Sequence, residues 1–478
     1  MSTYSFHTFM FPFRWRIKGL EDQPFSKQIA LQNIRYAQSP GWERYAIPPT
    51  IEKESDDLYN ERNYFYEFVH PALYDDNSEQ SLVRHFERRE PKHGEVTYRI
   101  VCGKEKNVYE LNVRYINLNF YATGVGVLSI YLDNDKYSVI SDILAINQYG
   151  RRVFPPFIAD VGKRDEIACS LEFNGLGGVY FEDFSAYTNK VKSNTPAAFI
   201  HKMVHEVAEN IELQPVVDDR MFVLCWYKNE DWAKKFKEDF SGFLDDDELW
   251  YRFVFVDCKD TTCQNKSMRR KIIGNATYER WQDWYSLYGI SRYSMVYLTN
   301  NGCPPYLTNY FETEYARMAE LVLMQRASML RFSAEVTQIS KLSGTKDFGD
   351  RVSSLYKEYI RFENRMYFRE VTAQDQGIEM YQKLVEAMNL KELVEKLDRE
   401  IEELHDYVQM REDRLTNRTM SLLTWITTIF LPITVVTGYF SMNNFCDNPK
   451  FILESVVMVC FAIVVISIVL QINKRRIK

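Results

Sequence analysis

The chain lacks the usual marks of an enzyme. It has no Cys-x-x-Cys pair, no Gly-rich loop closed by Lys and Ser/Thr, and no recognisable Ser/His/Asp or Cys/His set. Its eight cysteines are scattered, so free buried thiols in a reducing compartment are expected, and Cys258 and Cys263 are too loosely spaced for a zinc knuckle. A net charge of −7 argues against direct nucleic-acid binding. No repeat or low-complexity segment is present. The opening residues, MSTYSFHTFMFPFRW, lack the charged, apolar and cleavage regions of a secretory signal, so a body of about 400 residues is expected to stay in the cytosol. Proline and glycine are missing from Ile378 to Leu431, which permits a very long helix.

Charge is the next absence, and it is local. Met420 to Phe440 carries no charged side chain, and Phe451 to Leu470 carries only Glu454. Each run has about the twenty residues that an α-helix needs to cross the hydrocarbon of a bilayer. The alternative reading of an apolar run is a buried core helix, but two runs separated by a very short loop argue for a membrane hairpin. Arg411, Arg414 and Arg418 precede the first run; Lys474, Arg475, Arg476 and Lys478 follow the second. Lys and Arg favour the cytoplasmic side, so both termini are expected inside and the loop outside. The expectation is a multi-pass protein of the inner (cell) membrane, in contact with the lipid bilayer.

The rest, with 46% hydrophobic residues, can bury a substantial core. Residues up to about 95 read as polar, aromatic-rich and irregular. Strand-like runs follow at 97–102, 109–121, 126–133, 222–227, 251–257 and 293–300, separated by helical patterns such as TPAAFIHKMVHEVAENIEL and ERWQDWYSLYG. These imply an α/β or α+β body. TNYFETEYARMAELVLMQRASMLRFSAEVTQISKL reads as one long helix, and VSSLYKEYIRFENRMYFREV begins another. The resulting plan is an α/β ligand-sensing domain over 1–305, a helical region and coiled-coil stalk over 306–419, a first span over 420–440, an outer loop over 441–450, a second span over 451–470 and a basic tail over 471–478.

Leu390, Val394, Leu397, Ile401, Leu404, Val408 and Leu415 follow alternating four- and three-residue steps, a heptad seam with Arg411 at the skipped position. From this seam a single helix over about 372–438 is expected. In the first span, Asn417, Met420, Leu423 or Thr424, Thr427, Leu431, Thr434 and Ser441 recur at three- and four-residue steps and can share one face. Such a stripe either holds helices together through hydroxyls or lines a pore with alternating hydroxyl and apolar rings. The second span has no stripe and reads as a lipid-facing outer helix.

The stretch TIFLPITVVTGYFSMNNF resembles the end of the first membrane helix in the CorA family of magnesium channels, which closes on a Gly-Met-Asn motif at the outer mouth. The order of parts is similar as well. The resemblance implies a homopentamer whose first helices line the pore, with Asn417, Met420, Leu423, Thr427, Leu431 and Thr434 on its wall. Ser441, Met442 and Asn443 take the place of the selectivity motif, and Asn443 would bind the hydrated cation. It implies no catalytic residues, and Mg2+ or another divalent cation as permeant or regulatory ion. The chain departs from the family in Ser441 for Gly, an extra Asn444, and an outer loop with Asp447 as its only acid. The N-terminal HTFMFPFRW is similar to an enlarged CorA subgroup associated with type III CRISPR systems. That resemblance implies a membrane effector of antiviral defence opened by a nucleotide messenger of the S-adenosylmethionine–AMP type.

Candidate ligand contacts are Arg151 and Arg152, and Arg269 and Arg270, as cations for a phosphate-bearing ligand. The acidic run Asp245–Glu248 reads as a solvated helix start or a cation site. His201 and His205, four residues apart beside Glu206, are not in zincin order. Asn174–Gly178 reads as a turn. Three functions remain open: a ligand-gated cation channel, a divalent-metal uptake channel, and a non-conducting membrane-anchored receptor.

Overall fold

The computed structural model describes residues 3–442 except 38, 47–55, 79–80, 90–93, 103–106, 154–166, 185–195, 218–219, 247, 343–344 and 346. Beyond Met442 it describes only Leu453, Val456, Val457, Cys460, Phe461 and Val464. The chain divides into two compact units, 1–401 and 402–478.

The first unit is organised by one sheet of thirteen strands. In chain order these are β1 Ser5–Ile17, β2 Glu43–Arg44, β3 Val83–Arg89, β4 Thr97–Cys102, β5 Asn107–Tyr121, β6 Val125–Asn134 and β7 Ala168–Asn174. There follow β8 Tyr180–Asp183, β9 Ile211–Pro215, β10 Phe222–Lys228, β11 Thr277–Tyr278, β12 Leu287–Ile290 and β13 Ser294–Thr299. The path across the sheet is β11-β12-β13-β10-β1-β6-β5-β4-β7-β8, with β2, β3 and β9 off it. Every pairing is antiparallel except β10 with β13. The expected mixture of helices and strands is there, but most of the sheet is antiparallel, and only the parallel pair β10–β13 is joined by a helical crossover.

The N-terminal segment departs from the irregular structure expected of it. The supposedly irregular N-terminal segment is the central strand, buried along Ser5–Phe13. It lies between β6 on one side and, on the other, first β10 (from Ser5 to Met10) and then β9 (from Phe13 to Ile17). Pro12, which has no N–H to give a ladder, falls where β10 hands over to β9, so that edge requires no bond from it. β5 works similarly: one edge pairs β6, while the other pairs β4 along 107–112 and β3 along 115–121.

The expected strand over 251–257 is instead the helix Glu248–Phe255. Trp250, Tyr251, Phe253 and Val254 are its buried face, a helical spacing that aromatic composition disguised. ERWQDWYSLYG likewise resolves into a single turn, Gln282–Trp284, a left-handed Tyr285 and then β12. The expected helix over 308–342 breaks at Thr313 into Pro305–Glu312 and Glu314–Ser340. The latter packs on β1 and β6 and brings Glu320, Gln325, Ser328 and Arg331 into the core. Glu320 accepts from the Tyr121 hydroxyl at 2.8 Å and from the Asn119 amide.

The stalk also breaks. Asp375–Ala387 and Leu390–Met442 are separate helices. Asn389 between them is left-handed at φ +53, a conformation that Asn tolerates and that ends a helix.

Candidate functional site

The helix Leu390–Met442 runs 53 residues without interruption and carries every expected pore residue up to Met442. Of its heptad seam, Leu390, Val394, Leu397, Ile401 and Val408 are buried within the single chain, whereas Leu415 is exposed. Those five positions are therefore covered without a second copy, which a pure inter-subunit coiled coil would not give. Beyond Leu415 the surface changes. Asn417, Met420, Leu423, Thr427, Leu431 and Thr434 are all exposed on this chain.

The threonines share one device. Thr419 donates to Leu415 O at 3.0 Å, Thr424 to Met420 O at 2.7 Å, Thr427 to Leu423 O at 2.8 Å and Thr428 to Thr424 O at 2.7 Å; Thr434 donates to Phe430 O. Each hydroxyl thus places its proton on the carbonyl four residues back. An apolar solvent then meets no unsatisfied donor, and the oxygen lone pairs are left pointing outward as acceptors. Pro432 sits inside the helix and cannot donate to Thr428 O, so that carbonyl takes its bond from elsewhere or stays open.

Ser441 and Met442 close the helix; Asn443, the outer loop, most of the second span and the basic tail lie outside the described residues. Among the described residues no helix is long and apolar enough to cross a membrane.

The candidates in the first unit scatter. Arg151 and Arg152 are buried. Arg151 donates to Val256 O at 3.2 Å and to Gln148 at 3.4 Å, and its guanidinium lies 5.7 Å from the Tyr293 ring centre, so it ties loops together. Arg269 and Arg270 meet the acidic run. Arg269 bonds Glu248 at 2.7 Å and Arg270 bonds Asp245 at 3.0 Å, so two features that each suggested a ligand answer one another. His205 contacts His201 O at 2.7 Å and Ile211 O at 3.1 Å through its two ring nitrogens, leaving none for a metal. No group of His, Cys, Asp or Glu suited to a metal occurs among the described residues. Gly175 makes the tight β7–β8 turn at φ +95, where a Cβ would stand 2.1 Å from Glu95 O. Burial pushes the Cys102 and Cys225 thiols up to about 12, as inert structural cysteines require.

The feature that the sequence did not bring out is a cleft lined by Arg14, Arg16, Arg331, Lys341 and Arg351, residues far apart in the chain. The one local signal was Phe-Arg-Trp-Arg-Ile, two arginines alternating with buried residues at the end of β1.

Residues 342–475 match the family model described as CorA-like Mg2+ transporter protein. That family is one of transporters rather than enzymes, and the match spans the end of the first unit, the long helix and the hairpin region. Among solved structures the chain is similar to "The complete structure of CorA magnesium transporter from Methanocaldococcus jannaschii". That match has 14% identity, covers 55% of this chain and 94% of that one, and has a TM-score of 0.22, too low to carry an argument about arrangement. No curated protein matches the chain.

Proposed function

We propose that this chain is one subunit of a CorA-like oligomeric membrane cation channel, opened and closed by its cytosolic body. The observation that carries this reading is the helix Leu390–Met442. It falls inside the stretch matching the transporter family, starts buried, and ends in an exposed face of alternating apolar and back-bonded hydroxyl residues. Around an axis made by several copies, Met420, Leu423 and Leu431 form apolar rings that shut a narrow pore by dewetting. Between them the outward oxygens of Thr427 and Thr434 face the water around an ion. A ring of Asn443 amides at the mouth supplies dipoles rather than full charges, which suits Mg2+ in its water shell because that ion dehydrates reluctantly. A cytosolic ligand opens the pore only by binding one arrangement of the subunits more tightly than the other. The finer reading, a type III CRISPR effector answering a nucleotide messenger, rests on the resemblance of residues 7–15.

The test is Mg2+ flux into liposomes holding the full-length protein. Leu431→Ser removes an apolar ring and raises resting flux without any ligand; Asn443→Ala lowers the preference for Mg2+ over Na+. If neither the wild type nor Leu431→Ser conducts after verified insertion, the channel reading falls and a membrane-anchored receptor remains.

A further inference from the structure

We propose that the cytosolic body binds a soluble, phosphate-bearing small molecule in the cleft where Arg14, Arg16, Arg331, Lys341 and Arg351 converge. The cleft holds about 510 Å3, within the range of small-molecule sites. Three elements supply its cations. The end of β1 supplies Arg14 and Arg16, two residues apart and hence on one face of the strand. The helix Glu314–Ser340 supplies Arg331, Glu335 and Gln338, spaced to share a face, with Lys341 just beyond its end. The helix Phe348–Arg365 supplies Arg351.

Positive charge is in excess here. Five cations face three carboxylates, Glu21, Glu212 and Glu335. Glu212 is engaged by Arg16 at 2.6 Å, and Arg14 bonds the neutral side chain of Gln214. Arg351 donates to the Asp22 carbonyl at 3.2 Å and lies 3.9 Å from its carboxylate.

Arg331 is the decisive group. Its side chain is 2% exposed, and Nη1 donates to Trp15 O and Gly124 O at 2.9 Å each. Its nearest carboxylate, Glu335, is 3.9 Å away, and the buried Nε–H has no hydrogen-bond partner among the described residues. The fold makes room for this cation: Gly124 sits at φ +73, where a Cβ would come within 2.8 Å of the guanidinium carbon. Burial first, and the nearby Arg14 and Arg16 in addition, lower the Arg331 pKa to about 10 against the weaker opposing pull of Glu335. A buried cation without a full counter-charge is costly, and a bound anion removes that cost.

The spread of guanidinium forks over three elements selects the anion. A single carboxylate reaches one fork, whereas a phosphate or polyphosphate presents several oxygens to several forks at once. Glu21 and Glu335 remain as acceptors for hydroxyl or amine groups on the rest of such a molecule. As a binding site the cleft stands independently of the pore; as the place of the gating stimulus it rests on the channel reading.

The experiment is calorimetric titration of full-length protein in detergent with pyrophosphate, with ATP, and with citrate at matched ionic strength. Lys341→Gln and Arg351→Gln, both near the surface, are compared with the wild type, and Arg331 is left in place because it ties down the β1 backbone. The expected result is saturable binding of pyrophosphate or ATP, weakened at least tenfold by each variant while the ligand-free Tm stays unchanged. Tighter ATP binding marks a nucleotide, and tighter pyrophosphate binding marks a simple polyphosphate. Absence of saturable binding by both, equal binding by the variants, or citrate binding as tight as pyrophosphate overturns the proposal. Liposome flux is measured separately, so intact binding without conduction removes the channel reading and leaves the site.

Discussion

The two units treat water in opposite ways. Up to Ile401 the chain excludes water by itself: Trp15 is fully buried with its indole N–H on Val125 O at 3.0 Å, and Arg114 reaches Glu312 at 2.7 Å and also pairs with Asp133. In the second unit, Met420, Leu422, Leu423, Phe430, Leu431 and Val435 are exposed, and so are Leu453, Val457 and Phe461 further on. Soluble surfaces rarely leave so many large apolar side chains uncovered. The body supplies its own interior, whereas the second unit leaves its large apolar side chains uncovered on the single chain.

The largest effect that sharpens this contrast comes from truncating one side chain in each unit. Trp15→Ala leaves a cavity under β5 and β6 and costs about 3–5 kcal/mol in urea denaturation of the body. Leu423→Ala touches an exposed position and stays within about 0.5 kcal/mol by the same measurement, while altering flux. Equal losses from the two would break the contrast.

Acid probes the body next. His7 Nδ1 donates to Asn147 at 2.7 Å, and its Nε2 lies 2.8 Å from the Ser5 hydroxyl. Burial holds the ring neutral and lowers its pKa to about 4, from 6.5 when unfolded, with the Asn147 bond only partly opposing this. Between those values the unfolded chain binds the extra proton, so stability is complete above pH 6.5 and falls as the pH drops, by about 3 kcal/mol at pH 4. His85, held down to about 3 by burial and by Arg317, adds a loss of the same sign. His7→Gln flattens its share of the curve, as urea midpoints at pH 7 and pH 4 would reveal; an unchanged slope would remove His7 from the account.

The smallest effect lies at the break before the long helix. Asn389→Gly keeps φ +53 at little cost, whereas Asn389→Val costs about 1–2 kcal/mol because a β-branched residue resists the left-handed region. Thermal melts of the two variants measure the gap, and coincident melts would mean the turn is not fixed.

Much of this was legible in the sequence, and the failures have specific causes. β4, β5, β6, β10 and β13 lie where β-branched and aromatic runs placed them, because each run is bounded by turn residues. The stripe from Asn417 to Thr434 could be read directly, since one helix has one period. β1 was missed because along Ser5–Phe13 it is buried on both faces and shows no polar alternation. The helix Glu248–Phe255 was missed because its aromatic residues favour strands in general. The Arg269–Glu248 and Arg270–Asp245 pairs, and the cleft at Arg331, join positions that no local pattern connects.

The placement of β1 has a consequence for how the protein is made. Residues 5–17 are synthesised well before their partners β6, β9 and β10, which end only at 134, 215 and 228. An aromatic strand with both edges open is a hazard for self-pairing until those partners arrive. Completion of the β1 ladder therefore waits until residue 228 has been made, and folding of the body is expected to be slow. A helper that shields the nascent N-terminal strand would raise the yield of protein more than one acting on the finished chain.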